Sequence, residues 1–317
     1  MQPRTIDCHW WVCYNAEGAY FGSLQESGLS SRWQTAFDPD LDDTEWTELW
    51  STVPIAQVPP GEYQGGYRVV QQVVNEAEVF GRPYRLQTSL DCRFLYDPQG
   101  YLWMSDTPQE RIMMANNARH SWGHVLVGGL GLGLYPQYAA CGMLGEATQI
   151  TVLERSPVVA AIVEPVLRPA LSVPLEVMVQ DVGAHLTVEA ERRYDTIFID
   201  TWESLDATRL PEINRLRDLA LSHLAPDGRV LLWGYRWIVR LFEDACRRLL
   251  AEMPAQRQGW LMVRAAPSSP AGRLLMPVEA HFRGQVVGDL EQALSWCREY
   301  AMTVTTVEPG ERLASAR

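Results

Sequence analysis

The chain has 317 residues, 47% of them hydrophobic and 21% charged, which is enough to bury an α/β core and support a smaller second domain. Its net charge of −12 opposes binding to nucleic acid through the phosphates and favours neutral or cationic partners. Its six cysteines are scattered without a C-x-x-C pair, which predicts neither a zinc site nor a disulfide framework and suits a reducing cytoplasm.

The first sixty residues differ in composition from the rest and are treated as an N-terminal extension. They contain five tryptophans and an acidic stretch at 38–43, and they end in a proline-rich passage. Residues 6–21 are typical of a hairpin, which would cover a substrate mouth, contribute to a homodimer contact, or simply shield the sheet domain as a small packed hairpin. No signal segment is visible and no apolar run reaches the roughly 18 residues that span a bilayer, so we expect a soluble, cytoplasmic protein with no membrane partner.

Residues 61–121 are expected to form a second, β-rich domain and a linking helix. The turn residues 97–100 separate two short aromatic-rich strands, at 94–96 and 101–103. A helix follows from Pro108 to Ala118, with Glu110 in its first turn.

Residues 122–265 carry the pattern that indicates the fold. An apolar strand at 125–127 is followed by glycines at alternate positions, namely Gly129, Gly131 and Gly133. Without Cβ atoms, such a loop turns sharply and approaches a ligand closely, with the N–H groups of the next helix directed at it. Three later apolar runs each end in an acid, namely Glu154, Asp181 and Asp200. Helix-length segments between these runs predict an α/β, Rossmann-like, doubly wound and mostly parallel sheet with its ligand crevice at the carboxyl ends of the strands.

The acids suggest a nucleotide-like ligand. Glu154 follows the last glycine by roughly 20 residues, where a carboxylate can accept both hydroxyls of a ribose; the alternative is a surface acid that ends a strand. Asp181 is placed for the adenine side, although aspartate after a strand is also common in turns. The loop reads G-x-G-x-G, with Leu134 where a dinucleotide site favours a third glycine, and this argues against a nicotinamide cofactor.

Together the glycine loop, Glu154, Asp181 and the strand ending at Asp200 resemble the class I S-adenosylmethionine-dependent methyltransferases. The arrangement that precedes them is similar to the spermidine synthase-like branch, in which a β-rich domain and a glutamate-bearing helix come before V-L-V-I-G-G-G-D-G-G and D-S-S-D. Glu110 lies where that family has its glutamate, and Asp200-Thr201-Trp202-Glu203 matches D-S-S-D with its two acids three residues apart. The resemblance covers roughly residues 61–245.

The resemblance implies binding of S-adenosyl-L-methionine by Gly129, Gly131, Gly133, Glu154 and Asp181. Asp200 would orient or deprotonate the acceptor, assisted by Glu203 and Glu110. The alternatives are that Asp200 caps the loop after its strand and that Glu203 is a solvated side chain. Trp202 between them would stack on a flat ligand or form the pocket wall.

Three positions depart from the spermidine synthase pattern. The loop aspartate of that family is Leu132 here, its tyrosine is Pro108, and its hairpin glutamine has no clear match, with Trp103 the nearest residue. We therefore expect methyl transfer to an oxygen or nitrogen of a small molecule or peptide. Aminopropyl transfer to a polyamine, or a cofactor-binding scaffold without turnover, are the alternatives.

The remaining segments carry no chemistry by themselves. A fifth strand is expected at 229–233, after a turn at 225–228. A helix to Leu250 follows, and Tyr235 and Trp237 at its start are either pocket walls or core residues. The C-terminal part should contain a strand at 260–263 and, within a C-terminal extension at 266–317, a helix at 290–300. No clustered acid–histidine set and no G-x-S-x-G motif is present, so we expect no metal and no serine nucleophile.

Overall fold

The computed structural model describes residues 50–79, 82–188, 192–251, 276–278, 280–282 and 289–305. The hairpin expected at 6–21 and the strand expected at 260–263 lie outside these residues.

An antiparallel four-stranded sheet forms the first part of the described chain. Its strands are adjacent in chain order: β1 (Gly61–Glu62), β2 (Arg68–Val79), β3 (Arg82–Tyr96) and β4 (Leu102–Ser105). The predicted turn at 97–100 joins β3 to β4, with the N–H of Gly100 donating to the carbonyl of Asp97 at 3.0 Å. Gly100 has φ +84°, a left-handed value that glycine adopts without a steric penalty. The β-rich second domain expected from the sequence therefore contains this sheet.

Helix α1 (Pro108–Ala118) has the bounds expected from the sequence, and most of its residues are buried. Pro108 occupies the first turn, where its missing N–H costs no helical hydrogen bond. Arg111 forms a buried ion pair with Asp106 at 2.9 Å and also donates to the backbone carbonyls of Asp106 and Asp91. This pair fixes the start of α1 to the antiparallel sheet.

The second sheet has five strands, all parallel. They are β5 (Trp122–Gly128), β6 (Glu146–Glu154), β7 (Leu175–Val179), β8 (Tyr194–Ile199) and β9 (Leu224–Leu232). Their order in the sheet is β7-β6-β5-β8-β9, so the chain runs outward in one direction from β5 and then returns to continue on its other side. This confirms the Rossmann-like α/β fold. The reversal between β5 and β8 is the position where such sheets leave a crevice at the carboxyl ends of the strands.

Helices follow each of these strands. They are α2 (Leu134–Ala140), α3 (Pro157–Ala170), α4 (Val182–Leu186), α5 (Leu210–Leu221) and α6 (Tyr235–Ala251), with α7 (Leu290–Thr303) packed on α6. One boundary differs from expectation, because β9 begins at Leu224 and includes the predicted turn residues 225–228. The pairing with β8 shifts register there, and Asp227 has φ +63°. The turn is thus a local irregularity within the strand.

A buried polar cluster attaches the C-terminal helix α7 to the sheet domain. On α5, Asn214 donates to the carbonyls of Ala301 and Val304 at 2.8 Å each, and Arg217 donates to the carbonyl of Met302 at 2.6 Å. The hydroxyl of Tyr235 donates to Asn214 at 2.6 Å and accepts from Arg217 at 2.9 Å. These bonds satisfy carbonyls that the end of α7 leaves without helical partners. Tyr235 is therefore a core residue.

Residues 50–58 pack on α2. Trp50 is only 2% exposed, and its carbonyl accepts from the hydroxyl of Tyr138 at 3.1 Å. The side chain of Gln137 forms hydrogen bonds in both directions with the backbone of Ala56, at 2.7 and 3.2 Å. Of the helices in the described ranges, none combines the length and apolar character needed to cross a membrane.

Candidate functional site

The glycine loop after β5 lies at the carboxyl edge of the parallel sheet. Gly129, Gly131 and Gly133 have φ values of +96°, +55° and +78°. A Cβ on Gly129 would collide with the backbone oxygen of Asp200, and one on Gly133 would press on Val163 of α3 at 3.2 Å. A Cβ on Gly131 would meet no atom of the described part of the chain within 4 Å. Two of the glycines therefore allow close packing of the protein on itself, whereas Gly131 faces open space where a ligand can approach the backbone.

Glu154 ends β6 and supports this loop. Its side chain is buried, and its two carboxylate oxygens accept from the N–H of Leu130 at 3.0 Å and from the N–H of Ser156 at 2.7 Å. A carboxylate has about four lone-pair sites, so these two bonds leave capacity for further donors such as ribose hydroxyls. The glutamate thus connects the glycine loop to the end of β6.

Asp181 is the N-cap of the short helix α4. Its exposed side chain accepts from the N–H of Ala184 at 2.9 Å. Capping of a turn is the alternative to an adenine contact that the sequence analysis gave for Asp181. The two roles are compatible, because one carboxylate oxygen can cap the helix while the other binds a ligand. Its role toward a ligand stays a prediction.

Asp200 follows β8 directly and lies against the glycine loop. Its N–H donates to the carbonyl of Gly128 at 2.8 Å, and its side chain is partly buried. Burial raises the pKa of this carboxyl well above its usual value, and the nearby carboxyls of Glu110 and Glu154 raise it further. The structure therefore brings three carboxyl groups from α1, β6 and β8 to one edge.

Glu110 reaches this edge from the first turn of α1. Its carboxylate accepts from the indole N–H of Trp233 at 3.2 Å, and the backbone N–H of Trp233 donates to Ile199 at 3.0 Å, one residue before Asp200. Burial raises the pKa of Glu110 to about 7, opposed by the hydrogen bond from Trp233. A carboxyl with a pKa near neutrality can both give and take a proton at physiological pH.

The segment from Thr201 to Leu205 extends across the edge. Thr201 lies close to Gly129, and Leu205 packs against Gly234 at the end of β9. Trp202 is 7% exposed, and its indole N–H has no hydrogen-bond partner among the residues that the structure describes. Glu203 projects into solvent. A buried donor without an acceptor is costly and is a position where a ligand atom would be accommodated.

The residues predicted from the sequence thus divide into two groups. The glycines, Glu154, Asp200 and Glu110 come together, whereas Asp181 and Glu203 are exposed at the rim. In the described part of the chain, no three His, Cys, Asp or Glu side chains are arranged to hold a metal ion.

Sequence reasoning missed Trp233 as a site residue. It ends the apolar run of β9, where a tryptophan is as consistent with core packing as with a site, so no local pattern separates the two. Its position could have identified it as a site residue, because it comes one residue before Gly234 and lies at the same sheet edge as Asp200.

Comparison with protein-family models and with curated proteins gave no match. Among solved structures, the chain is similar to a S-adenosylmethionine-dependent methyltransferase from Clostridium acetobutylicum, at 13% identity and a TM-score of 0.28, over 36% of this chain and 44% of that one. It is also similar to a sugar N-methyltransferase from Streptoalloteichus, at 19% identity and 0.26, over 37% and 43%. A third is an amino pentose methyltransferase from Micromonospora echinaspora, at 21% identity and 0.26, over 37% and 45%. The chain spans less than half the length of each.

Proposed function

We propose that this protein is a S-adenosylmethionine-dependent methyltransferase that modifies an oxygen or nitrogen of a small molecule or peptide. The observation that carries the proposal is the edge of the parallel sheet, where an open glycine loop lies beside the buried carboxyl of Glu154 and the partly buried carboxyls of Asp200 and Glu110. Gly131 provides the space for close approach, and Glu154 lies beside it with free acceptor capacity. The residues present therefore fit a ligand with a ribose and a positive charge.

Bound there, the cofactor would supply an electrophilic methyl group on a sulfonium. The chain's own contribution is positioning and proton transfer. The glycine loop and Glu154 would hold the ribose side, and Asp200 would orient the acceptor atom or remove its proton as the new bond forms. Glu110 would assist, because the bond from Trp233 fixes its carboxyl at the same edge. The segment from Thr201 to Leu205 extends across the edge and would limit entry of water.

The first experiment is calorimetric titration of the full chain with S-adenosylmethionine. Glu154→Ala should abolish binding, whereas Glu146→Gln should leave it unchanged, because that exposed acid begins the same strand at the opposite edge. Asp200→Asn should retain cofactor affinity and lose methyl transfer in an acceptor screen. Undetectable binding to the intact chain, or affinity unaffected by Glu154→Ala, would refute the proposal.

A second candidate is aminopropyl transfer to a polyamine, as in the spermidine synthase-like branch. The placement of Glu110 beside Asp200 favours it, because two acids suit a cationic acceptor. Leu132 and Pro108 oppose it, since neither supplies the polar group of that family. Tighter binding of decarboxylated S-adenosylmethionine than of the carboxylated form would support this candidate over methyl transfer.

A further inference from the structure

Three carboxyl groups, those of Glu110, Glu154 and Asp200, converge at the carboxyl edge of the parallel sheet. Asp200 lies against the glycine loop, where its N–H donates to the carbonyl of Gly128 at 2.8 Å, and Glu154 of β6 accepts from the N–H of Leu130 in the same loop at 3.0 Å. Glu110 of α1 and Glu154 both raise the pKa of Asp200. Glu110 accepts from the uncharged indole of Trp233 at 3.2 Å, and the backbone N–H of Trp233 donates to the carbonyl of Ile199, the residue before Asp200, at 3.0 Å. Among the described residues, no arginine or histidine is bonded to any of the three; the adjacent Arg111 is paired with Asp106 instead.

Such a cluster is costly when all three groups are ionised. Like charges removed from water repel one another, and proteins respond by retaining protons. A cation that enters the cluster reverses this balance, because each ionised carboxylate then gains an attractive partner in a site of low polarity. The protonation of Glu110 and Asp200 should therefore depend on the charge of the ligand.

We propose that Glu110, Glu154 and Asp200 make this edge a charge-selective site, which binds a sulfonium cation in preference to the neutral thioether of the same molecule and releases protons when the cation enters. The inference rests on the proposed function and deepens it. It assigns to Glu110 and Asp200 a part in discriminating the cofactor from its product, in addition to any contact with the acceptor.

The charges balance over one turnover. The acceptor's lone pair forms a bond to the methyl carbon, and the carbon–sulfur bond breaks with its electron pair remaining on sulfur. The proton of the acceptor atom moves to a carboxylate of the cluster. The positive sulfonium and a negative carboxylate are thereby replaced by a neutral thioether and a neutral carboxylic acid. The product consequently loses the charge that favoured binding at the moment when the cluster regains its proton.

The test compares S-adenosylmethionine with S-adenosylhomocysteine, which lacks only the methyl group and the charge. Titrations of the full chain in two buffers of different ionisation enthalpy give the number of protons exchanged. At pH 7, S-adenosylmethionine should release about half a proton from Glu110 and more if Asp200 contributes, because a carboxyl at its pKa is half protonated. Its affinity should rise about tenfold between pH 6 and pH 8. S-adenosylhomocysteine should release none and should bind with nearly constant affinity across this range.

Glu110→Gln should lower the affinity for S-adenosylmethionine at pH 8 by about fivefold or more, while the affinity for S-adenosylhomocysteine changes less than twofold. The matched control is Glu146→Gln, which removes one charge from the same protein far from the cluster and should change neither affinity. Equal affinities for the two compounds in the intact chain, without proton release, would overturn this inference and leave the proposed cofactor standing. Failure of both compounds to bind would overturn the proposed function itself. Both of these overturning outcomes are measured on the unmodified chain, so they do not depend on how well a variant folds.

Discussion

Replacing Glu110 with glutamine is expected to stabilise the protein at alkaline pH. The folded state raises the pKa of this carboxyl from 4.5 to about 7, so between these values the folded chain holds a proton that the unfolded chain has lost. The contribution of this group to the free energy of unfolding is therefore largest below pH 4.5 and falls as the pH rises from 4.5 to about 7. A raise of this size, at about 1.4 kcal/mol per unit, corresponds to a cost of about 3 kcal/mol above pH 7. Glutamine avoids the cost, since it carries no charge and can still accept from Trp233.

The assay is urea unfolding of the intact chain and the variant at pH 5 and pH 8. We expect the variant to exceed the unmodified protein by about 2–3 kcal/mol in free energy of unfolding at pH 8, and by a small fraction of that at pH 5. Glu146→Gln, at an exposed position, should show no such dependence on pH. The reasoning would be refuted if the free energies of unfolding of Glu110→Gln and of the unmodified chain differed by the same amount at both pH values. Such a result would show that ionising the Glu110 carboxyl does not destabilise the folded state.

Three further predictions concern other parts of the structure. Gly129→Ala should prevent normal folding, because its Cβ would collide with the backbone oxygen of Asp200. Gly131→Ala should fold, lose about 1–2 kcal/mol of stability because of its left-handed φ, and bind the cofactor weakly. Thermal melting measures the stability and calorimetry the cofactor affinity of each variant, and a Gly131→Ala variant less stable than Gly129→Ala would contradict the roles given to the two glycines. Trp233→Phe should shift the carboxyl titration of Glu110, followed by NMR, to higher pH, since it removes the bond that lowers this pKa; an unshifted titration would count against that bond. Arg217→Met should lower the free energy of unfolding, measured in urea, by about 3 kcal/mol, because the buried hydroxyl of Tyr235 and carbonyl of Met302 lose a charged donor. A loss below about 1 kcal/mol would show that Arg217 does not attach α7 to the sheet domain.

The parallel sheet could be predicted because its strands are buried on both faces. Continuous apolar runs ending in glycine or an acid mark such strands, and the run that ends before Asp200 forms β8. The start of β9 could not be predicted in the same way. Asp227 and its neighbours have the composition of a turn, and only pairing with β8 includes them in the strand.

The positions of the candidate site residues could be predicted where they depend on strand ends, but not where they depend on packing between elements. Glu154 ends one parallel strand and Asp200 directly follows another, so their common edge is fixed by topology. The approach of Glu110 was expected only from a family resemblance, and its contact with Trp233 joins residues that are distant in sequence. The raised pKa values arise from burial and from neighbouring charges, which single positions in a sequence do not encode.

The attachment of α1 defines how the protein could be recombined with a relative. Glu110 belongs by chain order to the segment that follows the antiparallel sheet, yet its carboxyl lies at the edge of the parallel one. The adjacent Arg111 is fixed by Asp106 to the antiparallel sheet. A chimera joined directly after β4 would keep Asp106 with Arg111, but it would separate them from β3, where Asp106 accepts from the N–H of Arg93 and Arg111 donates to the carbonyl of Asp91, and would displace the carboxyl. A functional junction should therefore fall near Ser121, after α1, so that the exchanged module carries its anchor and its acid together.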